Sequence, residues 1–312
     1  MRLLQINRNG DLSLGEYYAP RIPPYAILSH TWGSDGDEIS FQDVRKNRAR
    51  CKPLGYPKVR FCGDQALRDG IQFFWVDTCC IDKGSSQEVG EAINSMYRWY
   101  HDAITCYVYL ADVTAGDATS QTRDSEPAWL PAFRNSRWFT RGWTLQELLA
   151  PVNIEFFSLD GHRLGDRTTL ISEICSVTGI AEAALQGNPL SSFTVDERFA
   201  WARTRATKKE EDLVYSLLGI FGIHMPLIYG EGRIHALRRL QRELTRASSE
   251  DSLPLVLSNA PVAANSFTSG LSIEPPPGRG TPPVWNGVSR VSSNFLASLK
   301  HRCCLGAFRV QN

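Results

Sequence analysis

The sequence predicts an α/β fold: a parallel sheet flanked by helices, followed by a mainly α-helical C-terminal lobe. Three observations carry this. Short apolar runs recur through the first half, each closed by turn residues, as buried strands are. Segments of helical periodicity lie between them, so strand and helix alternate at the spacing of βαβ units. From about residue 166 onward only helical patterns remain.

Taken in order, Pro23-Pro24 ends an irregular lead, and Tyr25–Leu28 (YAIL) is a first strand closed by Ser29, His30 and Gly33. Lys58–Asp69 places Val59, Cys62, Ala66 and Leu67 at helical spacing, and Gly70 stops it. Ile71–Asp77 (IQFFWVD) is a second buried strand. Gln87–Asp102 is a helix with Val89, Ile93, Met96, Tyr97 and Tyr100 on one stripe. Ile104–Val113 is a third strand, and residues 114–127 are polar and aperiodic, a surface loop. Thr144–Ala150 is a helix stopped by Pro151, and Val152–Leu159 a fourth strand. The later helices fall at Thr168–Val177, Val195–Thr204, Lys209–Leu218 and Gly232–Ala247; Thr207 to Glu210 has the T-x-x-E form of a capping box for the third. The expected division is 1–165 for the α/β core with the active site, 166–250 for the helical lobe, and 251–312 for a linker or disordered tail. That last segment holds PPP at 275–277, many Ser, Gly and Asn, and no sustained period.

A length of 312 residues fits two domains, or one large domain with a tail. With 42% hydrophobic and 21% charged residues, disorder along the whole chain is excluded. Lys+Arg is 34 against Asp+Glu 33, so there is no electrostatic footprint for nucleic acid, and none is expected as a partner. No apolar run is long enough for a membrane span. Polar Asn7, Arg8, Asn9 and Asp11 arrive too early for a secretory h-region, so a cytoplasmic protein is expected. Eight cysteines without a C-x2-C pair predict free thiols and no metal site.

In an open α/β sheet, ligands bind beyond the carboxyl ends of the strands. That rule selects three segments. The first is Ser29-His30-Thr31-Trp32-Gly33. His30 is a general base or ligand contact, or else a hydrogen-bonded structural histidine. The second is Asp77 to Lys83. Asp77 and Asp82 can hold a proton, a cation or a ribose diol, or simply cap turns. Cys80 is a nucleophile if its thiolate is stabilised, and otherwise a small buried hydrophobe. The third is Ser136 to Glu147. Trp143 and Glu147 are i,i+4 neighbours, so an indole and a carboxylate share a face and suit a flat cationic ring beside a sugar; solvent exposure is the plainer reading of Glu147. Arg137 and Arg141 are also i,i+4 if the helix starts early, and either can clamp a phosphate. The Tyr229–Gly232 loop has glycines for a tight turn and no phosphate-loop pattern.

Together PPYAILSHTWG (23–33), FFWVDTCCIDK (73–83), AINSMYRWYHDAITCYVYLADV (92–113) and SRWFTRGWTLQELLAP (136–151) resemble the fungal heterokaryon-incompatibility (HET) domain, and the likeness runs to about residue 246. The resemblance implies a filamentous fungus and a death-inducing effector of self/non-self recognition. HET domains are in turn similar to TIR domains, which have a flavodoxin-like sheet and often cleave NAD+ with a helix-borne glutamate. SRWFTRGWTLQEL resembles the TIR segment carrying that acid. The resemblance therefore implies Glu147 as the catalytic carboxylate, with His30 and Asp77 beside it. Ser29, Trp32, Cys80, Asp82, Arg141 and Trp143 would line the binding site. NAD+ enters as substrate, so no cofactor is called for. A homo-oligomer and an upstream incompatibility receptor are the partners it implies. Two other functions fit the same residues: a non-catalytic self-assembling signalling module, and a secondary-metabolism enzyme with an apolar pocket using His30, Asp77 and Cys80.

Overall fold

The computed structural model describes residues 1–116 and 126–250. The 251–312 segment and most of the predicted 114–127 loop lie outside the described residues.

Seven strands form one sheet: β1 (Arg2–Ile6), β2 (Leu12–Glu16), β3 (Tyr25–His30), β4 (Phe73–Trp75), β5 (Thr105–Leu110), β6 (Ile154–Ser158) and β7 (Arg163–Asp166), in the order β2-β1-β4-β3-β5-β6-β7. The central four, β4-β3-β5-β6, are parallel. Numbered among themselves they run 2-1-3-4, the order of flavodoxin-type sheets, in which the first strand is central and its carboxyl end opens a crevice. Every residue of β3 and β5 is buried, as expected for strands covered on both faces.

The edges depart from the all-parallel expectation. The lead before Pro23 is not irregular: β1 and β2 form an antiparallel hairpin, and β1 also pairs antiparallel with β4. Its turn closes through Asn7 N–H to Asp11 O and Gly10 N–H to Asn7 O, both 2.8 Å, with Gly10 at φ +82°. At the opposite edge β7 pairs antiparallel with β6. The second predicted strand is shorter than its apolar run, because Asp77 already begins α3 (Asp77–Cys80), a single helical turn.

The flanking helices of the body are α1 (Phe41–Arg45), α2 (Gly55–Arg68), α4 (Ser86–Asp102), α5 (Leu130–Arg134) and α6 (Thr144–Leu149). Ser85 starts α4 by accepting from Glu88 N–H at 3.3 Å, and Ser40 with Asp43 makes a full capping box on α1. The later lobe is helical as expected: α7 (Ile171–Thr178), α8 (Glu182–Leu185), α9 (Val195–Ala200), α10 (Asp212–Tyr215), α11 (Leu218–Phe221) and α12 (Gly232–Glu250). Its helices before α12 are shorter than the periodicity suggests, while α12 runs three residues past its predicted end. The predicted capping box at Thr207 does not form, since the Thr207 hydroxyl donates to Lys209 O and α10 begins only at Asp212. A capping box forms instead at Thr194 and Glu197, ahead of α9.

The lobe packs on the body through α11 against α4 and α6, and through α8 against α6. The approach is close: a Cβ on Gly219 would lie 2.1 Å from Tyr97 Cβ. The chain segments also meet edge to edge, with Gly142 N–H donating to Ala206 O at 2.9 Å and Ala206 N–H to Thr140 O at 2.7 Å.

Candidate active site

A cleft of about 740 Å³ opens above the carboxyl ends of the parallel strands, between the body and the helical lobe. The body supplies His30, Trp32, Glu38, Asp77, Asp82, Lys83, Arg141, Trp143 and Glu147 to its lining, and the lobe supplies Lys208, Lys209, Asp212 and Tyr229. One wall is apolar, made of Ile39, Phe41, Ile81 and the α4 residues Val89, Ala92, Ile93 and Met96. The α4 stripe read from the sequence as core therefore divides: Tyr100 is buried beneath the sheet, while Val89 and Ile93 face the cleft.

Glu147 is the pivotal carboxylate. It is only 4% exposed, which overturns the solvent-exposed reading. The Ser29 hydroxyl, at the carboxyl end of β3, donates to Glu147 Oε2. The Trp138 indole N–H donates to Ser29 Oγ at 2.7 Å. An indole can only donate, so the Ser29 oxygen accepts it and its own hydrogen is directed at the carboxyl. Burial raises the Glu147 carboxyl most, and the neighbouring Asp77 raises it further. The Ser29 and Tyr100 hydroxyls and Arg141 offset part of this, leaving it at about 8. At neutral pH Glu147 thus holds its proton.

The start of α6 is held from the lobe. Buried Arg205 donates to Arg141 O and to Thr144 Oγ1, both at 2.9 Å, and Thr144 Oγ1 donates to Trp138 O at 2.6 Å. Burial pulls the Arg205 guanidinium down to about 9, with Glu147 opposing.

His30 lies between two carboxylates, its Nε2 3.6 Å from Glu38 Oε2 and its Nδ1 3.9 Å from Asp77 Oδ1. Asp77 Oδ2 accepts from the Trp32 indole at 2.8 Å. Glu38 Oε1 accepts from Gly33 N–H at 2.6 Å and from Lys58 Nζ. Burial by itself would raise Glu38, but His30 and Lys58 outweigh it and hold its carboxyl down at about 2.

Residues 25–147 match the family described as Heterokaryon incompatibility protein (HET). The chain belongs to the HET-domain family. It is 55% identical over 245 residues to the "Vegetative incompatibility protein HET-E-1" of Podospora anserina, an alignment covering 78% of this chain and 18% of that protein. The chain thus spans less than a fifth of the length of this relative. No solved structure matches it.

Within the HET domain, the structure brings His30, Trp32, Asp77, Asp82, Arg141, Trp143 and Glu147 to one cleft. Ser29 lies fully buried behind it, hydrogen-bonded to Glu147. Cys80 does not reach the cleft lining. It is buried, accepts from Val76 N–H, and burial pushes its thiol well above the ordinary value, which removes it as a nucleophile. Asp82 has the capping role weighed for it, with Oδ1 accepting from Gly84 N–H at 3.0 Å. Arg137 and Arg141 do not pair along a helix, because Arg141 is extended at ψ 139° after a short 3-10 turn; Arg137 points away, exposed. Trp143 does sit one turn before Glu147, and both line the cleft. Among the described residues no cluster of His, Cys, Asp or Glu is arranged to hold a metal ion, and no helix is long and apolar enough to cross a membrane.

Sequence reasoning missed Glu38, Lys58 and the whole lobe wall. Lys58 carried a signal: it stands one turn before Cys62 on the buried stripe of α2, and a lysine there requires a buried anion. Asp212, which accepts from Tyr229 Oη at 2.9 Å, and Lys209, whose Nζ lies 3.7 Å from the Tyr229 ring centroid, come from helical segments with no local site pattern.

Proposed function

We propose that this HET domain is an N-glycosidase acting on NAD+, with Glu147 as the carboxylate facing the reacting ribose. In this reading the chain serves heterokaryon incompatibility and programmed cell death; its Podospora relative is named a vegetative incompatibility protein. The observation that carries it is the buried Glu147 presented by α6 to the cleft and oriented by Ser29.

The chemistry follows from the charge. The nicotinamide ring of NAD+ is a fixed cation. Placed against Glu147 it stabilises the carboxylate and drives off the proton that burial retains there. Breaking the C1′–N bond then sends the electron pair to nicotinamide, which leaves neutral. The ribose carries an oxocarbenium-like charge that the carboxylate opposes. Water adds at C1′ and gives up its proton to solvent. Trp143, one turn from Glu147, is the plate for the ring. Trp32 is less available, since Lys83 Nζ lies 3.5 Å from its ring centroid and its N–H is bound to Asp77.

The test is NAD+ turnover by the full chain over a series of protein concentrations, beside Glu147→Gln. Nicotinamide release by the wild type alone supports the assignment. Intact NAD+ at every concentration, with both proteins folded, rejects it. The apolar wall of Ile39, Phe41, Ile81, Val89, Ile93 and Met96 favours a second reading, an enzyme of a small organic substrate. It gains if NAD+ is untouched yet apolar compounds quench the cleft tryptophans.

A further inference from the structure

The lysines of the cleft stand at its mouth. Among its carboxylates Glu38, Asp77, Glu147 and Asp212 are at most thinly exposed, Asp82 is half-buried and Asp35 exposed, whereas Lys83, Lys208 and Lys209 are all exposed. Among the described residues neither Lys83 nor Lys209 has a carboxylate partner within ion-pair distance. Each instead sits over an aromatic ring, Trp32 and Tyr229 respectively. Lys208, from the lobe, does have a partner. Its Nζ donates to Asp35 Oδ2 at 2.6 Å, bridging to the loop that follows β3. The Asp35 carboxyl is held below its ordinary value by that hydrogen bond and by the Lys208 charge, with the more distant Lys83 adding to it. The pair is exposed at 66% and 75%, and such ion pairs are held weakly.

We infer that the mouth of the cleft is a phosphate subsite formed by Lys83 from the body and Lys208 and Lys209 from the lobe, whose place Asp35 fills in the empty protein, so that the ligand is a nucleotide and not a free nucleoside. This rests on the proposed function only for the identity of the inner half of the ligand. An anion there exchanges the weak Asp35 pair for charge-assisted bonds to the lysines, and its charge is complementary to the rim as a cationic head is to the floor. Because the lysines come from both lobes, the anion would also bridge them.

The experiment is equilibrium binding of ADP and of adenosine to the full chain, read by quenching of Trp32 and Trp143. ADP is expected to bind at least tenfold more tightly than adenosine, and less tightly as salt rises. Lys83→Ala with Lys208→Ala should cost on the order of tenfold for ADP with adenosine unchanged. Asp35→Asn should raise ADP affinity by up to about fivefold, since it removes the competing carboxylate. Equal affinity for the two ligands, no binding of either, or indifference of ADP to these substitutions overturns the subsite. The reading of turnover is separate. NAD+ cleavage without ADP preference removes the subsite and leaves the glycosidase. ADP binding beside intact NAD+ does the reverse.

Discussion

Replacing Glu147 by Gln tests the site through stability as well as activity. The folded carboxyl titrates at about 8 against an ordinary 4.5. Between those pH values the folded chain holds a proton that the unfolded chain has released, so wild-type stability falls as pH rises through this window. At 1.36 kcal/mol per unit the loss reaches roughly 5 kcal/mol by pH 8, on the order of 10 °C in melting temperature for a domain of this size. Gln has the same shape, still accepts from Ser29, and carries no charge to desolvate. The variant should match wild type near pH 4 and melt progressively higher above it, with the gap levelling off near pH 8. Its NAD+ hydrolysis should fall by about a hundredfold or more. Thermal melts of both proteins from pH 4 to 9 are the assay. Parallel melting curves, with a constant gap across that range, would refute the buried-acid account whatever happened to activity.

Other outcomes follow from the same contacts. Ser29→Ala removes a donor to Glu147 and strands the Trp138 N–H, so it should cost about 1–3 kcal/mol and move the alkaline rise of kcat/KM to higher pH. Lys58→Met leaves the Glu38 carboxylate buried without its cation. A loss of roughly 3–5 kcal/mol is expected at neutral pH, shrinking in acid as Glu38 takes a proton; a denaturant titration at two pH values reads it. Gly142→Ala would bring a Cβ to 2.4 Å from Thr207 Cγ2, and proteolysis should then cut the lobe connection faster than in wild type. Native alkylation should label exposed Cys51 and spare Cys79 and Cys80, while Cys80→Ala keeps activity; rapid labelling of Cys80 would contradict its burial.

The elements easiest to read were those whose pattern is both local and long. Gln87–Asp102 differs from the observed α4 by one residue, because Ser85 caps it and its stripe spans four turns. β5 and β6 lie within their predicted runs, since β5 is buried throughout and β6 everywhere but at Glu155. The β1–β2 hairpin carried a signal that the reading of an irregular lead left unused: Asn9-Gly10 is a turn dipeptide, standing between two strands of only five residues each. In the site, the sheet rule located Ser29, His30, Asp77 and Glu147, all near strand ends. Depth was not legible. Whether Glu147 faces water or Ser29 depends on Trp138, α8 and α11 closing over it, which no local spacing encodes. The same holds for Cys80, whose buried thiol and a poised one look alike in sequence.

The joint at Gly142 and Ala206 also sets an order in time. A chain made from its N-terminus completes the strands, Ser29 and Glu147 well before Arg205, Asp212 and Tyr229 leave the ribosome. Until α8 and α11 dock on α6, the helix that carries Glu147 lacks the lobe contacts it has in the folded chain. A nascent or clipped chain that ends before the lobe therefore carries Glu38, Asp77 and Glu147 and lacks Asp212 and the lobe wall of the cleft. The cleft, whose far wall is Lys208, Lys209, Asp212 and Tyr229, is complete only once synthesis has passed the helical lobe.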